Sequence, residues 1–324
     1  MKVINSQNIL VSVSIVTRNR SNLLDKAIRS AYNQTYNNIE IVLVDNASID
    51  NTVEMVRKKW PDVKIIQMHK NIGCQPGRNI AMANCRGKYI FNLDDDGLLA
   101  PYTINAIVNR FELDSDIAVI DCYTPPIEQS KYYRPSFNKS EKWVSNFKGG
   151  ASALKKSILV KSGYFPEFAR GGSEAVLAAR ILDVDYYILY LPSAVMFHPE
   201  IRKGKVLKRH SFYLGWHHLK RSFLYMPAPR CFTTALWRSF RGLWESIKNG
   251  TSLPYVSGIF RFFLDLPNTI EERKPIKKDT VKKISFLTYN VIEKKDTINN
   301  YKQQATKNLI LKRWQKWRKI NSNS

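Results

Sequence analysis

The sequence has few cysteines, and their arrangement argues against two kinds of site. Cys74, Cys85, Cys122 and Cys231 lie far apart and form no Cys-x-x-Cys pair. A disulfide framework and a structural zinc site both rely on recognisable cysteine spacings. The four thiols instead suit a protein of a reducing compartment.

Long hydrophobic runs are also missing. No apolar stretch approaches the ~20 residues that a membrane-spanning helix needs. Near the N-terminus, Lys2 is followed by the polar segment Asn5-Ser6-Gln7-Asn8, which differs from the apolar core of a signal peptide. We therefore expect a cytoplasmic protein, either soluble or peripheral at the inner face of the cell membrane.

Acidic residues are scarce in the last third of the chain. The 324 residues include 51 Lys and Arg against 27 Asp and Glu, a net charge of +24. Residues 1–200 hold 24 basic and 20 acidic side chains, whereas residues 201–324 hold 27 and 7. A surplus of this kind either faces an anionic partner or is solvated.

The first hundred residues alternate between strand and helix patterns. Buried strands are predicted at 9–17, 40–44, 63–68 and 88–93. Helical periodicity between them predicts a doubly wound, parallel sheet, in which ligands bind beyond the carboxyl ends of the strands. Polar segments follow all four strands, so they should meet at one rim: 17–20, 45–50, 73–79 and 94–97.

Later segments carry weaker patterns. Strands are predicted at 117–122, 186–191 and 194–198. Residues 147–160 are predicted to be a small-residue segment followed by a helix, and residues 273–283 a Lys-rich linker. Apolar and aromatic residues at helical spacing mark 235–247 and 308–320, and residues 255–266 contain Phe260, Phe262, Phe263 and Leu264 beside Arg261.

Three adjacent carboxylates end the fourth predicted strand. In an extended chain alternate residues face the same way, so Asp94 and Asp96 can point at one object while Asp95 points elsewhere. Two convergent carboxylates suit a hard divalent cation such as Mg or Mn. The alternative is a charged turn after an edge strand.

Eight segments, taken in order, resemble the family 2 glycosyltransferases of bacterial polysaccharide type, which are inverting enzymes of GT-A fold. They are residues 11–20, 40–52, 71–81, 91–97, 147–154, 163–168, 171–180 and 190–198. The resemblance implies an α/β protein with a Rossmann-like, doubly wound, mostly parallel sheet and a basic, mostly helical C-terminal extension. It also implies sugar transfer, with inversion, from a nucleotide-diphosphate sugar to an acceptor hydroxyl in cell-surface polysaccharide or glycoconjugate assembly.

The same resemblance divides the chain into three parts. Residues 9–105 would bind the nucleotide sugar, and residues 106–205 would form the acceptor-binding and catalytic half. Residues 206–324 would be the basic, aromatic, helical region. The expected partners are the nucleotide-diphosphate sugar donor and a saccharide or lipid-linked acceptor.

On the donor side, the resemblance makes Asp94 and Asp96 the D-x-D pair that holds Mg or Mn, with Asp96 as the first choice for a direct ligand. Asp95 would lie near the ribose or donor sugar. His198 would add a third metal ligand, although a structural role is the alternative. The remaining nucleotide-sugar-binding positions would be Thr17, Arg20, Asp45, Asn46 and Arg78, with a capped turn as the alternative for Asp45 and Asn46.

On the acceptor side, the resemblance makes Glu174 the general base. The family's usual Glu-Asp pair is Ser173-Glu174 here, and a carboxylate that interacts with the helix dipole is the alternative. Gly149 and Gly150 would let the backbone approach the acceptor or donor sugar. Three aromatic residues could stack on sugars or simply pack: Tyr132, Tyr133 and Trp143.

The basic C-terminal region combines Trp and Phe faces with Lys and Arg, a composition typical of helices at an anionic membrane surface. Alternatively, its aromatic residues cover the catalytic domain. Nucleic acid is not expected as a partner because no nucleic-acid motif is present. Two rival functions are a sugar nucleotidyltransferase, which would need a glycine-rich loop where residues 18–20 stand, and an inactive basic protein that binds membrane or nucleic acid.

Overall fold

The computed structural model describes residues 8–129, 140–167, 172–199, 208–289 and 292–293. Tyr132, Tyr133 and the amphipathic segment 308–320 lie outside these ranges, so their predicted roles stay predictions.

The first part of the chain forms the predicted parallel sheet. Its strands are β1 (Val11–Thr17), β2 (Ile39–Asp45), β3 (Lys64–Gln67) and β4 (Tyr89–Asp94). The helices between them are α1 (Ser21–Tyr32), α2 (Thr52–Lys59) and α3 (Cys74–Ala83). All neighbours in the order β3-β2-β1-β4 pair in parallel, so the four strands end at the same rim.

The second part adds antiparallel neighbours to this sheet. Its elements are β5 (Leu98–Leu99), α4 (Thr103–Leu113), β6 (Ile117–Tyr123), a short 3-10 helix (Ile127–Gln129), β7 (Lys142–Val144), β8 (Ala151–Lys155), α5 (Lys156–Ser162), α6 (Ser173–Asp183) and β9 (Tyr187–Phe197). The sheet continues β4-β8-β6-β9-β7, and β8 is antiparallel to both of its neighbours. Both predicted halves therefore contribute strands to one sheet.

Two predictions of separate elements near the end of this sheet are wrong. The predicted strands 186–191 and 194–198 are one strand, β9, which pairs in parallel with β6. The register shifts between Leu191 and Val195, and the strand then pairs with β5 through Phe197. Pro192 lies at this irregularity inside a continuous strand, a position where proline is tolerated.

The C-terminal region is helical, as predicted, and is packed through glycine. It comprises α7 (Lys208–Tyr225), α8 (Arg230–Lys248), α9 (Ser252–Leu264), α10 (Leu266–Glu271), α11 (Lys278–Tyr289) and the short strand β10 (Ile292–Glu293). A Cβ at Gly215 of α7 would lie 2.1 Å from the Tyr255 carbonyl oxygen, and one at Gly258 of α9 would lie 2.0 Å from that of Phe212. Only glycine lets these two helix backbones come so close.

The predicted Lys-rich linker at 273–283 is wrong, because this segment is part of the packed structure. The Ile276 N–H donates to the Tyr225 carbonyl at 2.8 Å, and the Lys277 N–H donates to Asp183 at 2.7 Å. The Ile276 side chain is buried, and α11 begins directly afterwards.

The apolar faces of α8 and α9 point outward. On α8, Leu236, Trp237, Phe240, Trp244 and Ile247 are between 56% and 74% exposed. The alternative, that these residues cover the catalytic sheet, is therefore wrong for this helix. Within the described ranges, no helix is both long and apolar enough to cross a bilayer.

Candidate active site

The loops that follow the parallel strands meet at one rim, as the sequence predicts. The Asn19 N–H donates to Ser48 Oγ at 2.9 Å, which ties the β1 loop to the β2 loop. Asn46 connects the β2 loop to the segment before α3, because its Nδ2 donates to the Gly73 carbonyl at 3.0 Å and its Oδ1 accepts from the Ile72 N–H at 2.9 Å.

Asp94 and Asp96 converge on His198. Strand β4 ends at Asp94, between β1 and β8, so the alternative of a turn after an edge strand is wrong. His198 Nε2 lies 3.2 Å from Asp96 Oδ1 and 3.8 Å from Asp94 Oδ2. One ligand atom from each residue can be chosen so that all three lie within 4.8 Å of one another.

These three side chains fit a divalent cation. Carboxylates suit Mg and Mn, and imidazole adds a ligand typical of transition metals. The hydrogen bond that His198 donates to Asp96 raises the pKa of His198 to about 9 and lowers that of Asp96. A metal would take the place of this proton, because a coordinating histidine must be neutral.

Asp95 points away from the metal group. Its Oδ2 accepts from Thr17 Oγ1 at 2.8 Å, and its Oδ1 accepts from Arg20 Nη1 at 2.9 Å. Burial raises the pKa of Asp95, while the hydrogen bond from Thr17 and the charge of Arg20 act in the opposite direction. Arg20 also reaches Asp96 at 3.0 Å, so it links Asp95 to the metal group.

Gly149 and Gly150 make room for the acidic side chains. A Cβ at Gly150 would lie 1.9 to 2.1 Å from the carboxylate atoms of Asp94. A Cβ at Gly149 would lie 2.7 Å from Glu174 Oε1 and 2.8 Å from Arg78 Nη1. The two glycines therefore allow Asp94, Arg78 and Glu174 to approach the same stretch of backbone.

Glu174 lies in the first turn of α6 with its carboxylate held by side chains. Its Oε1 accepts from Gln75 Nε2 at 2.9 Å, and its Oε2 accepts from Ser173 Oγ at 3.2 Å. It lines a cavity of about 690 Å³ that Asp94 and His198 also line. At the N-terminus of α6 this carboxylate also interacts favourably with the helix dipole, and that role is compatible with a role as general base.

A second cavity, of about 720 Å³, is lined by all three residues of the aspartate triplet. Six predicted residues line it together with His198: Thr17, Arg20, Asn46, Asp94, Asp95 and Asp96. The two cavities share Asp94 and His198, so they meet at the metal group. Arg78 lines the 690 Å³ cavity and also contacts the metal group, because its Nη2 donates to Asp94 Oδ1 at 2.7 Å.

Two predicted residues lie away from the open cavities. Asp45 is 1% exposed, and its Oδ2 accepts from the Ser48 N–H at 3.1 Å, as in the capped-turn alternative. Its buried Oδ1 has no hydrogen-bond partner in the described part of the chain. Trp143 is 4% exposed and packs against Tyr187 with ring centroids 5.5 Å apart, so its role is packing.

The 720 Å³ cavity also has two lining residues that sequence reasoning missed. Arg209 and Tyr213, from the first turns of α7, line the wall of this cavity. In the sequence, Arg209 is marked only by its charge, which it shares with the rest of the basic C-terminal region. Arg209 lines the cavity only because α7 folds back towards the end of the sheet.

Comparison with known proteins identifies the family. The sequence model of glycosyl transferase family 2 matches residues 12–176, about half of the chain. The chain belongs to this family. Membership confirms the predicted resemblance and favours sugar transfer over the rival nucleotidyltransferase.

Curated relatives of this family 2 protein align over part of their length. A chondroitin synthase of Escherichia coli is 32% identical over 114 residues, which is 34% of this chain and 16% of that protein. An uncharacterized glycosyltransferase of Rickettsia typhi is 35% identical over 178 residues, which is 50% of this chain and 55% of that protein. The chain thus spans about half or less of these relatives.

Solved structures confirm the GT-A fold at low sequence identity. The mannosyltransferase PcManGT from Pyrobaculum calidifontis, in complex with GDP-Man and Mn²⁺, gives a TM-score of 0.55 at 20% identity, covering 86% of this chain and 84% of that one. S. aureus TarS 1–349 in complex with UDP-GlcNAc gives 0.60 at 14% identity, with the same two coverages.

Proposed function

We propose that this family 2 protein transfers a sugar from a nucleotide-diphosphate sugar to an acceptor hydroxyl, with inversion. The observation that carries the proposal is the contact of Gly149 and Gly150 with both halves of the site. Glu174 lies beside Gly149, and Asp94, within the metal group, lies beside Gly150. A proton acceptor and a site for the leaving group are thereby held next to one cavity that can admit an acceptor.

The 720 Å³ cavity takes the donor in this proposal. Asp94, Asp96 and His198 would hold Mg or Mn, which would neutralise the charge that develops on the leaving diphosphate. Arg78 and Arg209 supply fixed positive charge beside the same group. Complexes of the structural neighbours with GDP-Man and UDP-GlcNAc support a nucleotide-sugar donor.

Five further residues hold the nucleotide in this proposal. Thr17, Asn46 and Asp45 come from the ends of β1 and β2, where the base and ribose would lie. The unpartnered Oδ1 of Asp45 is an acceptor that a ribose hydroxyl could satisfy after a small movement of the loop. Asp95 and Arg20 complete this wall through their mutual salt bridge.

The 690 Å³ cavity takes the acceptor. Glu174 removes the proton of the attacking hydroxyl, and a single base on the acceptor side is what an inverting displacement requires. Gln75 donates to one carboxylate oxygen of Glu174, which fixes the direction of the other. Gln75 is therefore a positioning residue.

The acceptor in this proposal is a saccharide or lipid-linked glycan of cell-surface polysaccharide or glycoconjugate assembly, at the cytoplasmic face of the membrane. Support comes from the outward-facing Trp237, Phe240 and Trp244 of α8. Arg241 and Lys248 lie over the Trp237 and Trp244 rings at 5.5 and 5.4 Å. Aromatic rings beside cations suit the headgroup region of an anionic bilayer.

The test is sugar transfer by the purified full-length chain, with a panel of nucleotide sugars and with or without Mn²⁺. NMR of the first product anomer reports inversion. Asp96→Asn should lower the turnover rate about 100-fold or more, while Asp62→Asn, an exposed aspartate outside the site, should leave it unchanged. Equal turnover by Asp96→Asn and the wild type would contradict the metal-site assignment.

A further inference from the structure

A third cavity, of about 450 Å³, lies between α7 and α8, and its lining is rich in basic side chains. His218 and Arg221 line it from α7, and Arg238 and Arg241 line it from α8. We call this cavity the arginine pocket. None of these residues lines the two cavities of the candidate active site.

Two arginines of the pocket, Arg221 and Arg238, have no carboxylate within salt-bridge distance among the described residues. Arg238 donates to two neutral groups, Ser222 Oγ at 3.0 Å and Tyr225 Oη at 3.4 Å. The buried Nε of Arg221 has no hydrogen-bond partner among the described residues. Across the same ranges, neither arginine forms a salt bridge, unlike Arg20, Arg78 and Arg110 elsewhere.

The positive charges of the pocket act on one another. Burial and then the charge of Arg238 lower the pKa of Arg221. Burial and the same arginines lower the pKa of His218 to about 4, so this histidine is neutral. The lining contains one carboxylate, Glu245, which is exposed and forms no salt bridge within the described chain. An anion in the pocket would relieve this repulsion.

Arginine and the neighbouring apolar face together indicate the kind of anion. The planar guanidinium of arginine matches the oxygens of a phosphate group. Trp237 lines the pocket and is also part of the exposed apolar face of α8, so polar and apolar surfaces are continuous at this residue. A free phosphate would use only the arginines, whereas a phosphate ester with an apolar chain would use both surfaces.

We infer that the arginine pocket binds the phosphate group of a lipid, with the lipid's apolar chain lying along the exposed face of α8. The phosphate accepts hydrogen bonds from Arg221, Arg238 and Arg241. The ligand is thus a phosphate ester at a membrane surface. Binding of this kind is specific, whereas a general electrostatic attraction would draw the basic region to any negatively charged surface.

The pocket adjoins the candidate base. Arg221 lies against the backbone before α6, because a Cβ at Gly172 would be 3.0 Å from Arg221 Nη1. Glu174 is two residues further along, and its charge acts on Arg221. A lipid phosphate held here would place the saccharide of a lipid-linked acceptor beside Glu174, a role that rests on the function proposed above.

The experiment measures binding of the full-length protein to phosphatidylcholine vesicles that contain either phosphatidic acid or phosphatidylserine at matched surface charge. The wild type should prefer phosphatidic acid, because its phosphate monoester is accessible to arginine. Arg221→Gln combined with Arg241→Gln should weaken binding to phosphatidic acid by about tenfold or more beyond its effect on phosphatidylserine vesicles.

The matched control is Arg230→Gln combined with Lys248→Gln, which removes the same charge from α8 outside the pocket. This control should weaken binding to both vesicle types equally. If the pocket and control variants lose the same affinity for both lipids, the inference is wrong. The lipid assignment would also be wrong if the pocket variant lost the stabilisation that inorganic phosphate gives the wild type in thermal unfolding while its binding to vesicles stayed unchanged.

Vesicle binding requires no sugar transfer, so its outcome is separate from that of the proposed function. Arg241→Gln alone serves as a second variant should the double variant fold poorly, since Arg241 is exposed. It should retain the wild-type unfolding temperature and lose part of the preference for phosphatidic acid. An unchanged preference in this folded variant would count against the pocket.

Discussion

Gly150→Ala tests the site at its most crowded point. The three carboxylate atoms of Asp94 lie 1.9 to 2.1 Å from the position that the new Cβ would occupy. An ordinary contact starts near 3.4 Å, so the carboxylate would have to move by about 1.5 Å. Its hydrogen bond from Arg78 and its place beside His198 would both be lost.

The expected effect is large on metal binding and small on folding. Metal–ligand distances tolerate only about 0.2 Å, and a misplacement of ~1 Å at a reacting centre can lower a rate about 100-fold. The Asp94 side chain is 36% exposed, so it can turn into the cavity without unfolding the sheet. We expect Mn²⁺ affinity and turnover to fall about 100-fold each, with little change in the unfolding temperature.

The matched comparison is Gly149→Ala. Its Cβ would meet the side-chain ends of Glu174 and Arg78 at 2.7 and 2.8 Å, while Asp94 is not among its nearest contacts. This variant should bind Mn²⁺ normally and transfer sugar more slowly. Titration calorimetry with Mn²⁺ and initial rates with the donor measure the two effects. Wild-type Mn²⁺ binding by Gly150→Ala would refute the placement of Asp94 in the metal group.

Three further changes separate the parts of the site. Glu174→Gln should lower kcat about 10²- to 10⁴-fold with donor binding retained, as measured by rapid-quench rates and nucleotide-sugar titration, and an unchanged kcat would remove its role as base. Arg209→Gln should raise the KM for the donor about tenfold and leave the unfolding temperature of the protein without donor unchanged. An unchanged KM would place Arg209 outside the donor site. Phe240→Ser combined with Trp244→Ser should weaken flotation with anionic vesicles and leave transfer to a soluble acceptor intact, and equal flotation would contradict membrane attachment through α8.

The parallel part of the fold could be predicted because its signals are local. Strands such as Ile39–Asp45 are short runs of buried, β-branched residues, and polar loops follow them at each carboxyl end. Strand β8 could not be predicted in the same way. Its residues Ala151, Ser152 and Ala153 have little strand preference, and β4 and β6 on either side hold them in the sheet.

In the site, too, contacts between sequence neighbours could be predicted, and contacts between distant residues could not. Asp94 and Asp96 are neighbours in sequence, so alternation along a strand was enough to bring them together. The contact of Gln75 with Glu174 joins residues 99 positions apart and arises only because the fold brings the first turns of α3 and α6 together. Likewise, the basic composition of the last third predicts an anionic partner, but only the packing of α7 on α8 shows which arginines form no salt bridge with the described residues.

Helix α7 connects the donor cavity to the arginine pocket. Arg209 near its start lines the donor cavity, and Arg221 near its end lines the pocket. Twelve residues of helix separate them by about 18 Å. Gly215 between them brings the α7 backbone into contact with α9, which also carries exposed Phe260 and Phe263. A rigid helix therefore sets the distance between the apolar surface and the reacting centre, so a lipid held at the pocket would present its saccharide at a fixed depth beside Glu174.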